Sequence, residues 1–242
     1  MSERIDRVII TGAGSGIGED LARRFLAEGS SLVLNGRDER KLERVAAALG
    51  KEDRVAVVPG SIGDPRTGKR LADAARERFG GVDVLINNAG IFAPKPFLES
   101  SEADLDRFYT TNVKGTYFVT QAVVPAMLEA GGGAIINVGT VLVLQGMAGL
   151  PVSAAMASKG GVHALTVSWA AELARHRIRV NTLAPGIIRT PLIDDADALA
   201  GIHPLGRIGE VQDTSDAALF LARSGFVTGT LLEVDGGYAH GR

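Results

Sequence analysis

Four glycines at every second position, Gly12, Gly14, Gly16 and Gly18, follow the β-branched run Val8-Ile9-Ile10. They precede a segment, Glu19 to Glu28, that carries Leu21, Ala22, Phe25 and Leu26 at helical spacing. Strand, glycine turn and helix in that order suit one kind of chemistry. Glycine lets backbone approach a phosphate closely, and the helix N-terminus behind it presents free N–H groups and a positive dipole. The arrangement predicts a seat for a dinucleotide pyrophosphate; the competing reading is a glycine-rich loop that holds no ligand.

The rest of the chain must supply the frame for that turn. Ser31–Leu34, Arg54–Val58, Val82–Ile86, Ala134–Val138, Arg179–Leu183 and Leu231–Val234 read as further strands. Between them lie helical patterns over Asp38–Leu49, from Pro65 after the cap Asp64, over Ser101–Met127 as one long amphipathic helix, and over Ser153–His176 and Asp213–Ala222. No composition break, repeat or low-complexity linker divides them. The expectation is one domain over residues 1–242, an α/β Rossmann-like doubly wound sheet of about seven mostly parallel strands with helices on both faces. Ligands of such sheets bind at the carboxyl ends of the strands, near the switch in strand order.

Composition narrows the classes further. With 45% hydrophobic and 22% charged residues the chain has the make-up of a globular protein with a sizeable core. A net charge of −2 and the lack of a basic run give nucleic acid no footprint. No apolar stretch approaches the ~18 residues of a membrane span. The charged N-terminal segment runs straight into the first strand and does not read as a signal peptide. With no cysteine there is no disulfide, thiolate metal site or cysteine nucleophile. The expectation is a cytoplasmic protein with no metal, membrane or nucleic-acid partner.

The glycine spacing is T-G-x-x-x-G-x-G, Thr11 to Gly18, and not the general G-x-G-x-x-G. It resembles the short-chain dehydrogenase/reductase family, and later motifs agree. Asn87-Asn88-Ala89-Gly90 is similar to that family's N-N-A-G, Asn112 to its mid-helix asparagine, and Ser158-Lys159 to its S-K pair. Pro185-Gly186 with Thr190-Pro191, and Asp235-Gly236-Gly237, fall where the family has P-G and D-G-G segments. The resemblance implies a nicotinamide cofactor held by Gly12, Ser15, Gly16, Ile17, Gly18, Asn88, Ala89, Gly90, Lys159, Pro185, Gly186, Ile188 and Thr190. It implies Ser61 and Ile62 beside the adenine, where the family reads D-V. Many such folds hydrogen-bond the ribose 2′-OH through an acidic residue about 20 positions past the glycines. Here Asn35-Gly36-Arg37 stands there, with glycine where NAD-preferring members carry Asp, and an arginine fork can pair with a 2′-phosphate. The expected cofactor is NADP(H) over NAD(H).

The activity implied is hydride transfer between nicotinamide and a carbonyl or alcohol carbon. In the family a tyrosine exchanges the proton on oxygen, a serine orients the substrate, and a lysine four residues beyond the tyrosine binds the nicotinamide ribose and favours the tyrosinate. An asparagine holds a water of the proton relay. Counting back four from Lys159 gives Ala155, and the only tyrosines are Tyr109, Tyr117 and Tyr238. The serine's counterpart at the end of the fifth strand is Thr140, with a loop two residues longer than usual; counting back from Lys159 lands on Leu142 instead. The candidate catalytic residues are therefore Asn112, Thr140 and Lys159. Three readings compete: an oxidoreductase whose proton comes from Ser153, from a water held by Asn112 and Lys159, or from a substrate hydroxyl; a protein that binds NADP(H) without turnover as sensor or scaffold; and inherited structure alone. The survival of Asn112, Lys159 and Thr190 favours the altered oxidoreductase.

The segment Pro191–Pro204 lies where the family's substrate lid would be, with Leu192, Ile193, Leu199 and Ile202 as cover and Asp194, Asp195 and Asp197 disfavouring an anionic substrate or forming a solvated helix start. His203 reads as a loop residue more than a base. The apolar loop Val141–Pro151 predicts a partly apolar small-molecule substrate, or else packing against a neighbouring subunit. The helices over 101–127 and 153–176 resemble those that pair across the family's dimer axis, with Phe118 and Trp169 as candidates for the shared surface, so a homo-oligomer, dimer or tetramer, is expected.

Overall fold

A computed structural model describes residues 6–191, 193 and 196–241. β1 (Arg7–Ile10), β2 (Ser31–Gly36), β3 (Val55–Pro59), β4 (Val84–Asn87), β5 (Gly133–Val138), β6 (Ile178–Pro185) and β7 (Leu231–Val234) form one sheet of order β3-β2-β1-β4-β5-β6-β7. Every pairing in it is parallel. Alternation along each strand divides the core between the two faces. Val8, Ile10, Leu32 and Leu34 pack with Leu21, Phe25 and Leu42 from α1 (Gly16–Ala27) and α2 (Glu39–Leu49), and with α7 (Val211–Arg223). Ile9, Val33 and Leu85 pack on the other face with α3 (Pro65–Phe79), α5 (Thr116–Ala130) and α6 (Ser153–Leu173). The doubly wound parallel sheet is thus as the alternating pattern predicts, and the order reverses between β1 and β4.

Local signals explain the helix starts. Asp64 accepts from the Arg66 N–H with Pro65 at the first position of α3, and Asp38 caps α2 through the Lys41 N–H. α6 lays Ala155, Ser158, Val162, Thr166 and Trp169 along one buried stripe at three- and four-residue steps.

One expectation needs correcting. The span expected as a single helix over Ser101–Met127 is α4 (Glu102–Phe108), a π-helical turn (Tyr109–Gly115) and α5. Its middle is crowded from two sides: Ile62 side-chain atoms stand 2.8 Å from where a Cβ on Gly115 would lie, and the Asn112 carboxamide is bonded to the backbone of Ile91. Such wide turns recur at functional sites.

A buried polar chain holds α6 to the sheet. Asn87 Nδ2 donates to Thr120 Oγ1 and Asn137 Oδ1, both at 2.9 Å; Asn137 Nδ2 and Thr182 Oγ1 each donate to Thr166 Oγ1 at 2.8 Å. Buried polar groups so satisfied define one arrangement of the layers, because any slip leaves donors unpaired.

The tightest constraint lies at β1. A Cβ on Gly18 would stand 2.1 Å from the Gly12 carbonyl oxygen and 2.6 Å from Asn88 Nδ2. Gly18→Ala is expected to cost roughly 2 kcal/mol through overpacking against backbone, a fall in Tm of about 4–8 °C by calorimetry; an unchanged Tm would contradict this contact.

Candidate active site

The turn after β1 and the segment after β4 are bonded into one unit. Thr11 Oγ1 accepts from the Asn88 and Ala89 N–H groups, both at 3.0 Å, and Asn88 Nδ2 donates to the carbonyls of Thr11 (3.0 Å) and Gly12 (3.1 Å). Gly12 and Gly16 adopt φ of 68° and 54°, left-handed values that glycine reaches without strain. Ser15, in extended conformation, is the N-cap residue of α1 and makes no side-chain cap bond, so its hydroxyl leaves the first N–H groups of the helix uncapped. Thr190 closes the cradle on one side, its Cγ2 3.2 Å from a Cβ placed on Gly16. Gly12, Gly16, Gly18, Asn88, Ala89 and Thr190 thus lie together, with Ser15 and Ile17 in the same turn and helix start.

Beside this cradle, Asn35 is fully buried and donates to the carbonyls of Val58 (2.9 Å) and Gly60 (3.0 Å), tying the ends of β2 and β3. Arg37, two residues on, is exposed and makes no ion pair among the described residues. Lys41, also exposed, packs its Cβ 3.3 Å from a Cβ placed on Gly14. Ser61 is exposed, its Oγ accepting from the Gly63 N–H, whereas Ile62 is buried against Gly115 and offers a ligand only its neighbouring backbone.

Gly186, after the end of β6 at Pro185, bonds its N–H to the Val234 carbonyl, and a Cβ there would meet His203 Cε1 at 2.7 Å. Ile188 is buried. His203 is also buried. Its Nδ1 faces the Asp235 carbonyl, which can only accept, so Nδ1 carries the proton and Nε2 accepts from the Ile187 N–H at 3.4 Å. Both nitrogens are engaged, and the residue is structural. Leu192, Asp194 and Asp195 lie outside the described residues, as does the Asp197 side chain; Ile193, Leu199 and Ile202 are half-buried.

At the carboxyl ends of β4 and β5, Asn112 Oδ1 accepts from the Ile91 N–H (2.8 Å) while Nδ2 donates to the Ile91 carbonyl (3.0 Å) and to Ser158 Oγ (2.9 Å). Ser158 in turn donates to the Ala155 carbonyl at 2.7 Å. Both amide protons of Asn112 are thereby taken, leaving one Oδ1 lone pair for a water. Lys159 Nζ donates to the Val138 carbonyl at 2.9 Å. A Cβ on Gly90 would stand 3.1 Å from that Nζ and 3.2 Å from Asn112 Oδ1, so the three residues meet. Burial lowers the Lys159 ammonium to about 8, since little water remains to solvate the charge. Thr140 caps the turn after β5, its Oγ1 accepting from the Leu142 N–H at 3.3 Å, which leaves its hydroxyl proton available. Ala155 is fully buried in a small apolar cluster with Phe108, Val152 and Ala154.

The apolar loop over 141–151 only partly meets the expectation of a pocket lining. Val141, Leu142 and Met147 pack with Tyr238 and Ala184, Leu150 joins the Phe108 cluster, and Leu144 alone among its large apolar side chains is exposed. Missed at sequence level were the hub role of Ser158, the Thr11 clamp, and Lys41 beside Gly14; each depends on a partner distant in sequence.

The family model described as short chain dehydrogenase matches residues 6–199. The chain belongs to the short-chain dehydrogenase family. It is 37% identical over 238 residues to a 3-oxoacyl-[acyl-carrier-protein] reductase of Thermotoga maritima, covering 95% of this chain and 96% of that protein. It is 36% identical to a (3R)-3-hydroxyacyl-CoA dehydrogenase of Rattus norvegicus, with 95% and 94% covered. A short-chain type dehydrogenase/reductase from Mycobacterium marinum has the same fold, with TM-score 0.91 and 32% identity over 96% of this chain and 95% of that one. Members of this family are oxidoreductases that use NAD(P)(H) and act by hydride transfer. The turn fits such a cofactor: Gly12 and Gly16 take left-handed φ values, and α1 presents its N-terminus there without a side-chain cap from Ser15.

In this short-chain dehydrogenase the Asn112 carboxamide carries three hydrogen bonds across three chain segments. Asn112→Ala is expected to cost roughly 2–4 kcal/mol, because the Ile91 N–H and carbonyl lose their partner inside the protein. Urea unfolding monitored by circular dichroism checks this; a loss below about 1 kcal/mol would show that the bonds are replaced by water.

Proposed function

We propose that the chain, folded as one domain, is an NADP(H)-dependent oxidoreductase that acts on a carbonyl or alcohol substrate with an altered proton donor. One observation carries the reading: Lys159 Nζ, Asn112 Oδ1 and Gly90 converge at the carboxyl ends of β4 and β5, beside the glycine cradle. The nicotinamide cofactor, when bound, supplies hydride. The chain's own residues do the rest. Gly12 to Gly18 and Thr190 bind the pyrophosphate, Arg37 faces the adenosine ribose, and Thr140 offers a hydroxyl to the substrate oxygen. Lys159 presents N–H groups to the nicotinamide side. Ala155 stands in the position of the family's tyrosine and has no proton to give.

The exposed, unpaired Arg37 supports NADP(H) over NAD(H), since its planar fork matches a 2′-phosphate, and Lys41 adds a second positive charge along the same edge. The named activities of the reductase and the hydroxyacyl-CoA dehydrogenase relatives make a short 3-oxoacyl thioester the first substrate to test. Tyr117, with ring centroids 5.7 Å from Phe118 and 5.6 Å from Trp169, forms an aromatic cluster where Phe118 is 38% exposed, which supports pairing of two copies across α5 and α6. The second reading, cofactor binding without turnover, draws on the burial of Ala155 among apolar side chains.

Fluorescence titration and a turnover assay separate these readings. The wild type is expected to bind NADPH and oxidise it with the thioester. Arg37→Ala should raise the Kd for NADPH about tenfold or more, equivalent to ~1.4 kcal/mol, while leaving that for NADH unchanged. Binding without oxidation across a carbonyl panel would establish the second reading, and equal Kd values for both cofactors would remove the role of Arg37.

A further inference from the structure

We propose that Lys159 itself delivers the proton that completes carbonyl reduction, an inference that rests on the oxidoreductase reading above. Of the side chains beside it, Ala155 offers a methyl group, both Nδ2 protons of Asn112 are donated within the protein, and the Ser158 hydroxyl donates to the Ala155 carbonyl. Ser153 is exposed at the first position of α6, and its hydroxyl is, like that of Thr140, an alcohol. Thr140 has a hydroxyl to hydrogen-bond a substrate oxygen, but an alcohol is too weak an acid to be the donor near neutrality.

Lys159 is placed for the task. Its amine sits in the angle between the ends of β4 and β5, 2.9 Å from the Val138 carbonyl and 3.1 Å from a Cβ placed on Gly90. That is where a parallel sheet opens onto its ligand. One N–H is used on Val138, and two remain on the ammonium. The neighbours placed beside it are the Val138 carbonyl of β5, Gly90 after β4 and Asn112 from the π-helical turn. None of these carries a titratable group or a charge. The next titratable residue along α6, His163, faces Thr182 Oγ1 at 3.4 Å. With no carboxylate partner among the described residues and a desolvated site, the ammonium sits near 8, within the range in which a buried lysine serves as acid or base.

The carbonyl carbon gains hydride, two electrons and one hydrogen nucleus, from the reduced nicotinamide. The C=O π pair moves onto oxygen, and that oxygen bonds to a proton from Lys159 Nζ, leaving a neutral amine. Water returns a proton to the amine after release, and in alcohol oxidation each movement runs backwards.

The test compares wild type and Lys159→Arg by NADPH fluorescence titration and by thioester reduction across pH, with a nitrogen-15 NMR titration of Lys159, assigned by its loss in the variant. The guanidinium keeps charge and hydrogen bonding but does not release a proton in this range. At NADPH concentrations that the titration shows to be saturating for each protein, reduction should fall at least about 100-fold, and wild-type kcat should fall tenfold per pH unit above an apparent pKa near 8. The lysine nitrogen should titrate near 8. Reduction by Lys159→Arg within a few-fold of wild type, or a lysine that titrates above about 10 in the wild type, overturns the proposal whether or not the variant folds. A wild type that binds NADPH yet reduces nothing across the carbonyl panel overturns the oxidoreductase reading, and this proposal with it.

Discussion

Backbone crowding at the switch in strand order is the constraint on which the rest depends. β1 and β4 are neighbours at the switch in strand order, where ligands of parallel sheets bind. Gly18 there rests on the Gly12 carbonyl, with Asn88 Nδ2 holding both Thr11 and Gly12. No side chain larger than hydrogen fits at position 18. The glycines are therefore a requirement of packing before they are a feature of binding, and the cradle is what that packing leaves exposed.

A second layer of constraint sets the reactive end. The chain Asn87–Asn137–Thr166–Thr182 holds α6 to β4, β5 and β6, and the Asn112 carboxamide joins the π-helical turn to both Ile91 and Ser158. Lys159 follows Ser158 directly, so its stem leaves the helix at a point determined from two sides. Its amine then finds the Val138 carbonyl instead of a carboxylate. Desolvation there, with no carboxylate partner among the described residues, lowers the ammonium to about 8.

Much of this was legible in the residues, for physical reasons. Local signals carried the strand–turn–helix at Gly12 to Gly18, the Asp64–Pro65 start of α3 and β7 at Leu231–Val234, because each depends on side chains within a few positions of one another. Motif spacing also brought Asn112, Lys159 and Gly90 into one site. What stayed hidden was decided by distant partners. The π-helical widening of the expected helix at Tyr109–Gly115 lies against Ile62 and Ile91, some distance away in the chain. The apolar loop after Thr140 read as a pocket lining or a subunit contact, and Val141 and Met147 join a cluster with Tyr238, a residue almost at the other end of the sequence. His203 read as a loop residue and is buried because Gly186 and Asp235 close around it.

The central claim is that this chain still moves hydride although residue 155 is alanine. A single-turnover experiment with NADPH carrying deuterium at the transferable C4 position, followed by mass spectrometry of the product alcohol, tests it most directly. The account predicts one deuterium on the carbinol carbon of the reduced 3-oxoacyl thioester, transferred from one face of the nicotinamide only. Recovery of unlabelled alcohol, or of unreacted thioester beside tightly bound and unoxidised cofactor, would contradict it.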